Sequence, residues 1–176
     1  MNNMKVRKRA FALFLTLSIV WMAVIFGFSS KNADESTEQS NSVTEFLMML
    51  FEENYDSLTE IEKQVLIEKY DGIIRTFAHF CVFVVLGVLT YYTVGSLSMI
   101  PEHMIRPAFA SLPFCVLFSV TDEYHQSFVP GRSCQLSDVI TDTCGAFCGT
   151  VVGILIVILV KYIFETKAKH STKEQI

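Results

Sequence analysis

Charge is what this chain lacks over most of its length. Ala10–Phe28 carries no Asp, Glu, Lys or Arg, and neither does Pro107–Thr121. Ile73–Val94 is interrupted only by Arg75 and His79, and Val139–Val160 only by Asp142. With 51% hydrophobic residues in 176, gathered into such blocks, the chain has less polar surface than a soluble domain of this length would need. Paired cysteines are lacking too. Cys81, Cys115, Cys144 and Cys148 fall inside the apolar blocks, where cysteine acts as a small hydrophobe, and Cys134 has no obvious partner. With no C-x-x-C cluster there is no zinc motif and no disulfide framework. No repeat and no low-complexity linker divides the chain, which argues for one membrane domain and against a transporter or channel unless it oligomerises. The net charge of −4 gives no case for nucleic acid.

What is present are four apolar blocks. About 20 helical residues cross a hydrocarbon core of roughly 30 Å. The sequence therefore predicts an all-α, polytopic membrane protein with four transmembrane helices. The third block is short and contains Pro113, so a kinked or partly wet helix is expected there. Lys5, Arg7, Lys8 and Arg9 precede the first block, and Lys161, Lys167, Lys169 and Lys173 follow the last. The segment Ser29–Gly72 has eleven Asp or Glu and three Lys. The positive-inside rule then makes residues 1–9 and 165–176 cytoplasmic tails, 10–164 the four-span domain, and 29–72 an acidic extracytoplasmic insert. A secretory signal peptide is the other reading of the first block, but Phe26-Gly27-Phe28-Ser29-Ser30 is a poor cleavage site, which favours an anchor.

Two capping boxes are legible in the insert. Ser42-Val43-Thr44-Glu45 and Thr59-Glu60-Ile61-Glu62 each place a hydroxyl and a carboxylate where a helix start leaves amides free. They predict two amphipathic outer helices with acidic polar sides, one with Phe46, Leu47, Leu50 and Phe51 on its apolar face. Acidic faces are repelled by anionic lipid, which favours capping the bundle over lying in the interface. Tyr91, Tyr92 and Tyr162 read as interfacial anchors.

Ionisable groups at the ends of the blocks fall at helical spacing. Asp71, Arg75, His79, Phe83 and Gly87 share one face, and Asp71 can pair with Arg75 at i,i+4. Ser111, Cys115, Ser119 and Glu123 form a second stripe, flanked by Asp122 and Gln126. Asp138 and Asp142 continue the face of Gly145, Gly149 and Gly153, a doubled small-residue motif that lets helices approach closely. Pro130-Gly131 suits a turn that swings Arg132 back over the carboxylates. All three faces bring their polar groups to one level, the outer leaflet. The candidate ligand-binding residues are Arg75, Gln126, Arg132 and Asp138, arginine being suited to bidentate capture of a carboxylate or phosphate. The candidate catalytic residues are His79, Asp122, Glu123, His125 and Asp142, with histidine able to move a proton. A closed salt-bridge network, a site for a polar lipid head group, and a divalent cation held by carboxylates and histidines all remain open; no metal-ligand spacing is diagnostic.

The run Asp122-Glu123-x-His125-Gln126-x-Phe128-x-Pro130-Gly131-Arg132, followed by Asp138, Asp142 and Gly145, resembles the signature of the VanZ-like family of bacterial membrane proteins. Arg75-x-x-Ala78-His79-Phe80 with Leu86-Gly87, and Phe28-Ser29-Ser30 with Ser36 and Ser40, resemble further motifs of that family. The family often has Lys after its Arg and Glu-Tyr after its His; here Thr76, Val82 and Phe83 stand, so roles of those groups do not carry over. The resemblance implies a small four-span protein of the bacterial cytoplasmic membrane, embedded in the bilayer, in a context of lowered teicoplanin susceptibility. The outward polar cluster adds the reading that it acts at the outer leaflet on or with a cell-envelope lipid or its head group. The competing reading is a non-enzymatic interaction protein that docks a partner on its acidic outer helices. A lipid-phosphate phosphatase is disfavoured because no PSGH-type motif is present.

Overall fold

The computed structural model describes residues 2–97 and 104–173. Five helices account for almost all of them: α1 (Asn2–Ser29), α2 (Ala33–Phe51), α3 (Glu60–Leu97), α4 (Arg106–Gln126) and α5 (Leu136–Lys173), with one 3-10 turn at Tyr55–Ser57. Among the described residues there is no strand. Met4–Ser29, Glu60–Leu97 and Leu136–Lys167 are long and apolar enough to cross a membrane. The third block forms α4, but α4 does not qualify as a span on its own composition. The reason is its inward face: Ser111, Ser119, Asp122, Glu123 and Gln126 are all buried.

α1, α3, α4 and α5 run alternately up and down, so both ends of the described chain lie at the same end of the bundle. The core is small and aromatic, built from Ile25, Phe83, Leu86, Cys115, Phe118 and Ala146. Apolar side chains such as Ile19, Val20, Leu155 and Leu159 remain exposed around it, as expected for helices whose solvent is lipid. The closest packing is between α3 and α5. A Cβ on Gly145 would lie 2.4 Å from the carbonyl oxygen of Phe80, and one on Gly149 2.0 Å from that of Val84. The small-residue motif thus carries this contact, as the spacing predicts, and it aims Asp138 and Asp142 at α3.

The outer segment differs from the expectation. Asn32, not Ser42, caps α2, its side chain accepting from the Glu35 amide at 2.8 Å. Ser42 is mid-helix and donates back to the Glu38 carbonyl. The Thr59–Glu62 box does form, with Thr59 N and Oγ1 both 2.8 Å from Glu62 Oε2. The helix it starts is not a separate outer helix, however. It runs without a break through Gly72 into the apolar block, and at 38 residues α3 is about 57 Å long. α2 returns against the outer part of α3, burying Thr44 and leaving Phe46, Leu50 and Phe51 exposed. Its apolar face is therefore not turned into the bundle.

Two of the three expected anchor tyrosines are packing residues. Tyr91 donates to the Met104 carbonyl at 2.8 Å, and Tyr92 to the Gly153 carbonyl at 3.2 Å. Tyr162 is exposed. Part of the loop after the second block, residues 98–103, lies outside the described residues. The expected C-terminal tail begins as helix, α5 continuing to Lys173.

Candidate functional site

The polar stripe of α4 reaches the end of the bundle where α2 joins, and each of its acids meets a neutral donor there. Asp122 Oδ2 accepts from Ser29 Oγ at 2.6 Å and from Gln126 Nε2 at 3.3 Å, tying the end of α1 to α4. Glu123 Oε1 accepts from the Gln135 amide at 2.7 Å, at the start of α5, where the helix dipole favours negative charge. Asp142 Oδ2 accepts from Ser119 Oγ at 3.0 Å. All three acids are almost fully buried.

The cations are placed otherwise. Pro130 and Gly131 form the expected turn: Gly131 has φ +75°, and the Arg132 amide donates to the Val129 carbonyl at 3.1 Å. The turn docks on the start of α2 through the Ala33 amide and the Pro130 carbonyl, 3.3 Å apart. Arg132 stays within electrostatic reach of Glu123, Asp122 and Asp138, but its Nη1 donates to Ser36 Oγ of α2 at 3.3 Å instead of pairing with a carboxylate. Its Nε is buried without a hydrogen-bond partner. The expected Asp71–Arg75 pair is also not made, because Asp71 accepts from Ser40 on α2 instead. Among the described residues, neither Arg75 nor Arg132 forms an ion pair with a carboxylate. Burial and the Arg75 guanidinium both hold Arg132 below its ordinary value. Glu123, Asp122 and Asp138 offset this only in part, and Asp138 shares a cavity wall with both arginines. Two half-buried cations near one another, neither in an ion pair, form an arrangement that an incoming anion relieves.

Both arginines and His79 border two cavities. One, of about 380 Å³, has polar walls that include Gln126, Gln135 and Asp138. The other, of about 240 Å³, opens between α1, α2 and α3 and has apolar walls. His79 points Nδ1 at Asp142 Oδ1, 3.7 Å away, and neither atom has a hydrogen bond. That distance is an ion-pair contact longer than a hydrogen bond. Nε2 is the ring nitrogen left for the cavities.

Of the candidate residues, Arg75, His79, Gln126, Arg132 and Asp138 line a cavity. Asp122, Glu123 and Asp142 stand behind that surface and meet it through lining residues: Asp122 through Ser29 and Gln126, Glu123 through Gln135, and Asp142 through His79. His125 lies apart, its ring 4.7 Å from that of Phe26. Sequence reasoning missed Gln135 and Thr37, polar groups in loop and helix positions that nothing in their spacing distinguishes. Among the described residues, no three His, Cys, Asp or Glu side chains converge as a metal site would require. Chemically, the arrangement can hold an anion between two guanidiniums and present to it an imidazole backed by a carboxylate.

Comparison with known proteins agrees with the sequence resemblance. The family model described as VanZ/LLP1 matches residues 14–161, and the chain belongs to that family. No curated protein and no solved structure shows significant similarity to it.

Proposed function

We propose that this protein acts at the outer leaflet of a bacterial cytoplasmic membrane by binding the anionic head group of a cell-envelope lipid between Arg75 and Arg132. The observation that carries this reading is the separation of charge. Asp122, Glu123 and Asp142 each accept from a neutral donor, while both guanidiniums border a cavity without forming an ion pair, although Asp138 shares its wall. Arginine forks match phosphate oxygens, so a phosphate or phosphodiester head is the ligand class favoured. His79 serves as a further donor to the bound head, or moves a proton there, with Asp142 positioning its ring.

In this reading α4 crosses the membrane as a fourth helix, its polar face shielded by α1, α3 and α5. The basic termini lie in the cytoplasm and the acidic α2 outside. The alternative, that the polar cluster is a structural salt-bridge network, is disfavoured because the arginines do not take part in one.

The test is direct binding. In an uncharged detergent, glycerol phosphate should bind the wild-type protein, and Arg75→Gln or Arg132→Gln should weaken it at least tenfold. In a host that expresses the protein, the same variants should raise teicoplanin susceptibility at unchanged membrane abundance. Folded variants that bind and protect as the wild type does would overturn the proposal.

A further inference from the structure

The two cavities meet at the same three side chains. Arg75, His79 and Arg132 border both the polar cavity of about 380 Å³ and the apolar one of about 240 Å³. Their remaining walls differ in chemistry. Gln126, Gln135 and Asp138 belong to the first, which is roofed by the α4–α5 turn. Phe28, Val43, Ala78 and Val82 belong to the second, which lies between the end of α1, the middle of α2 and α3. A small hydrophilic anion would need only the first.

From this juxtaposition we infer that the two cavities are halves of one amphiphile site: the ligand is a phosphate-headed lipid whose first chain segment leaves the guanidiniums through the α1–α2–α3 groove. This rests on the head-group reading above and adds the route of the chain. Three features of the groove favour a lipid chain over another occupant. Its walls are apolar. Its inner rim carries the two cations, so the occupant must be negative at one end. It is bordered by Phe28, which is exposed, and by Val82, both in apolar runs of α1 and α3, so a lipid could present its head there while its tail stays in the bilayer. Ser29 and Ser36 occur on the same wall, and hydrogen bonds to Asp122 and Arg132 fix them in place. The groove is thus held open by the polar contacts that join α1 and α2 to the α4–α5 end.

The test separates chain from head. Ala78→Trp and Val43→Trp fill the groove from opposite walls at positions exposed to it, so the core is not disturbed. Glycerol phosphate supplies the head alone, and dioleoyl phosphatidylglycerol in an uncharged detergent supplies head and chain. Each groove variant should lower phosphatidylglycerol binding at least tenfold and leave glycerol phosphate binding within twofold of wild type. Arg132→Gln should lower both. If the groove variants bind the lipid as tightly as wild type while Arg132→Gln still loses both ligands, the chain route is wrong and the head-group reading stands. If Arg132→Gln binds both ligands normally, or the wild type binds neither, both readings fall.

Discussion

His79 on α3 faces Asp142 on α5 across the tightest helix contact in the molecule, with Nδ1 and Oδ1 3.7 Å apart and neither hydrogen-bonded. Ser119 holds the other carboxylate oxygen. Asp142 therefore has one oxygen committed to the bundle and one aimed at the imidazole. Asp142→Asn keeps the Ser119 contact and removes the charge, so it should fold and lose ligand binding or protection. Asp142→Ala strands a buried hydroxyl as well and should cost roughly 1–3 kcal/mol of stability. Thermal unfolding of the two variants beside glycerol phosphate binding separates the effects. An Asn variant that binds like wild type would remove Asp142 from any functional role.

Glycines on different helices give predictions of opposite sign. A Cβ at Gly149 would stand 2.0 Å from the Val84 carbonyl, a backbone atom that cannot step aside. Gly149→Ala should therefore push α3 from α5 and destabilise by about 1–3 kcal/mol or more. Gly27 and Gly72 have nothing within 4 Å of such an atom and are both helical. Gly72→Ala should be neutral or stabilising by up to about 1 kcal/mol. Unfolding midpoints in detergent check both.

Helix starts can be tested at the two capping boxes. Thr59→Ala removes the hydroxyl end of a formed box and should cost about 1 kcal/mol locally, seen as faster amide exchange in the first turn of α3. Ser42→Ala alters an exposed mid-helix residue and should leave exchange in α2 unchanged.

Gly131 sits at φ +75°, and a Cβ there would lie 2.8 Å from that of Ala33. Gly131→Ala meets both a conformational cost of about 1–2 kcal/mol and a clash with α2. It should lower stability and move Arg132 away from Ser36, weakening anion binding even though no ligand contact is lost. Unchanged affinity would show that Arg132 reaches its ligand independently of this turn.

Much of this arrangement was legible in the sequence because helical spacing is a strong signal. The steps of four through Ser119 and Glu123, through Arg75 and His79, and through Asp138 and Asp142, with Gly145 three residues on, mark faces that turn toward neighbouring elements. The turn at Pro130-Gly131 was legible for the same kind of reason, since it depends on local backbone preference. What failed depended on groups brought together only by the fold. Asp71 is within reach of Arg75 along the helix, yet Ser40 takes it once α2 lies alongside. Arg132 turns to Ser36, ninety-six residues earlier in the chain. The Ser42 box matches a capping pattern, but Asn32 starts the helix ten residues sooner, and an established helix propagates through a Ser at little cost. Tyr91 and Tyr92 lie at the end of an apolar run, as anchors do, and only the approach of α4 and α5 shows that their hydroxyls are used inside.

The central claim is that Arg75 and Arg132 are held ready for an anion and do not hold the bundle together. The most direct measurement is the thermal stability of Arg75→Gln and Arg132→Gln in uncharged detergent, with and without glycerol phosphate. An unpaired half-buried charge contributes little to folding, so both variants should unfold within a few degrees of wild type, or above it. Glycerol phosphate should raise the midpoint of the wild type alone. A salt-bridge network predicts the reverse: loss of about 3–5 kcal/mol in the variants and no response of the wild type to the ligand. That result would contradict the account.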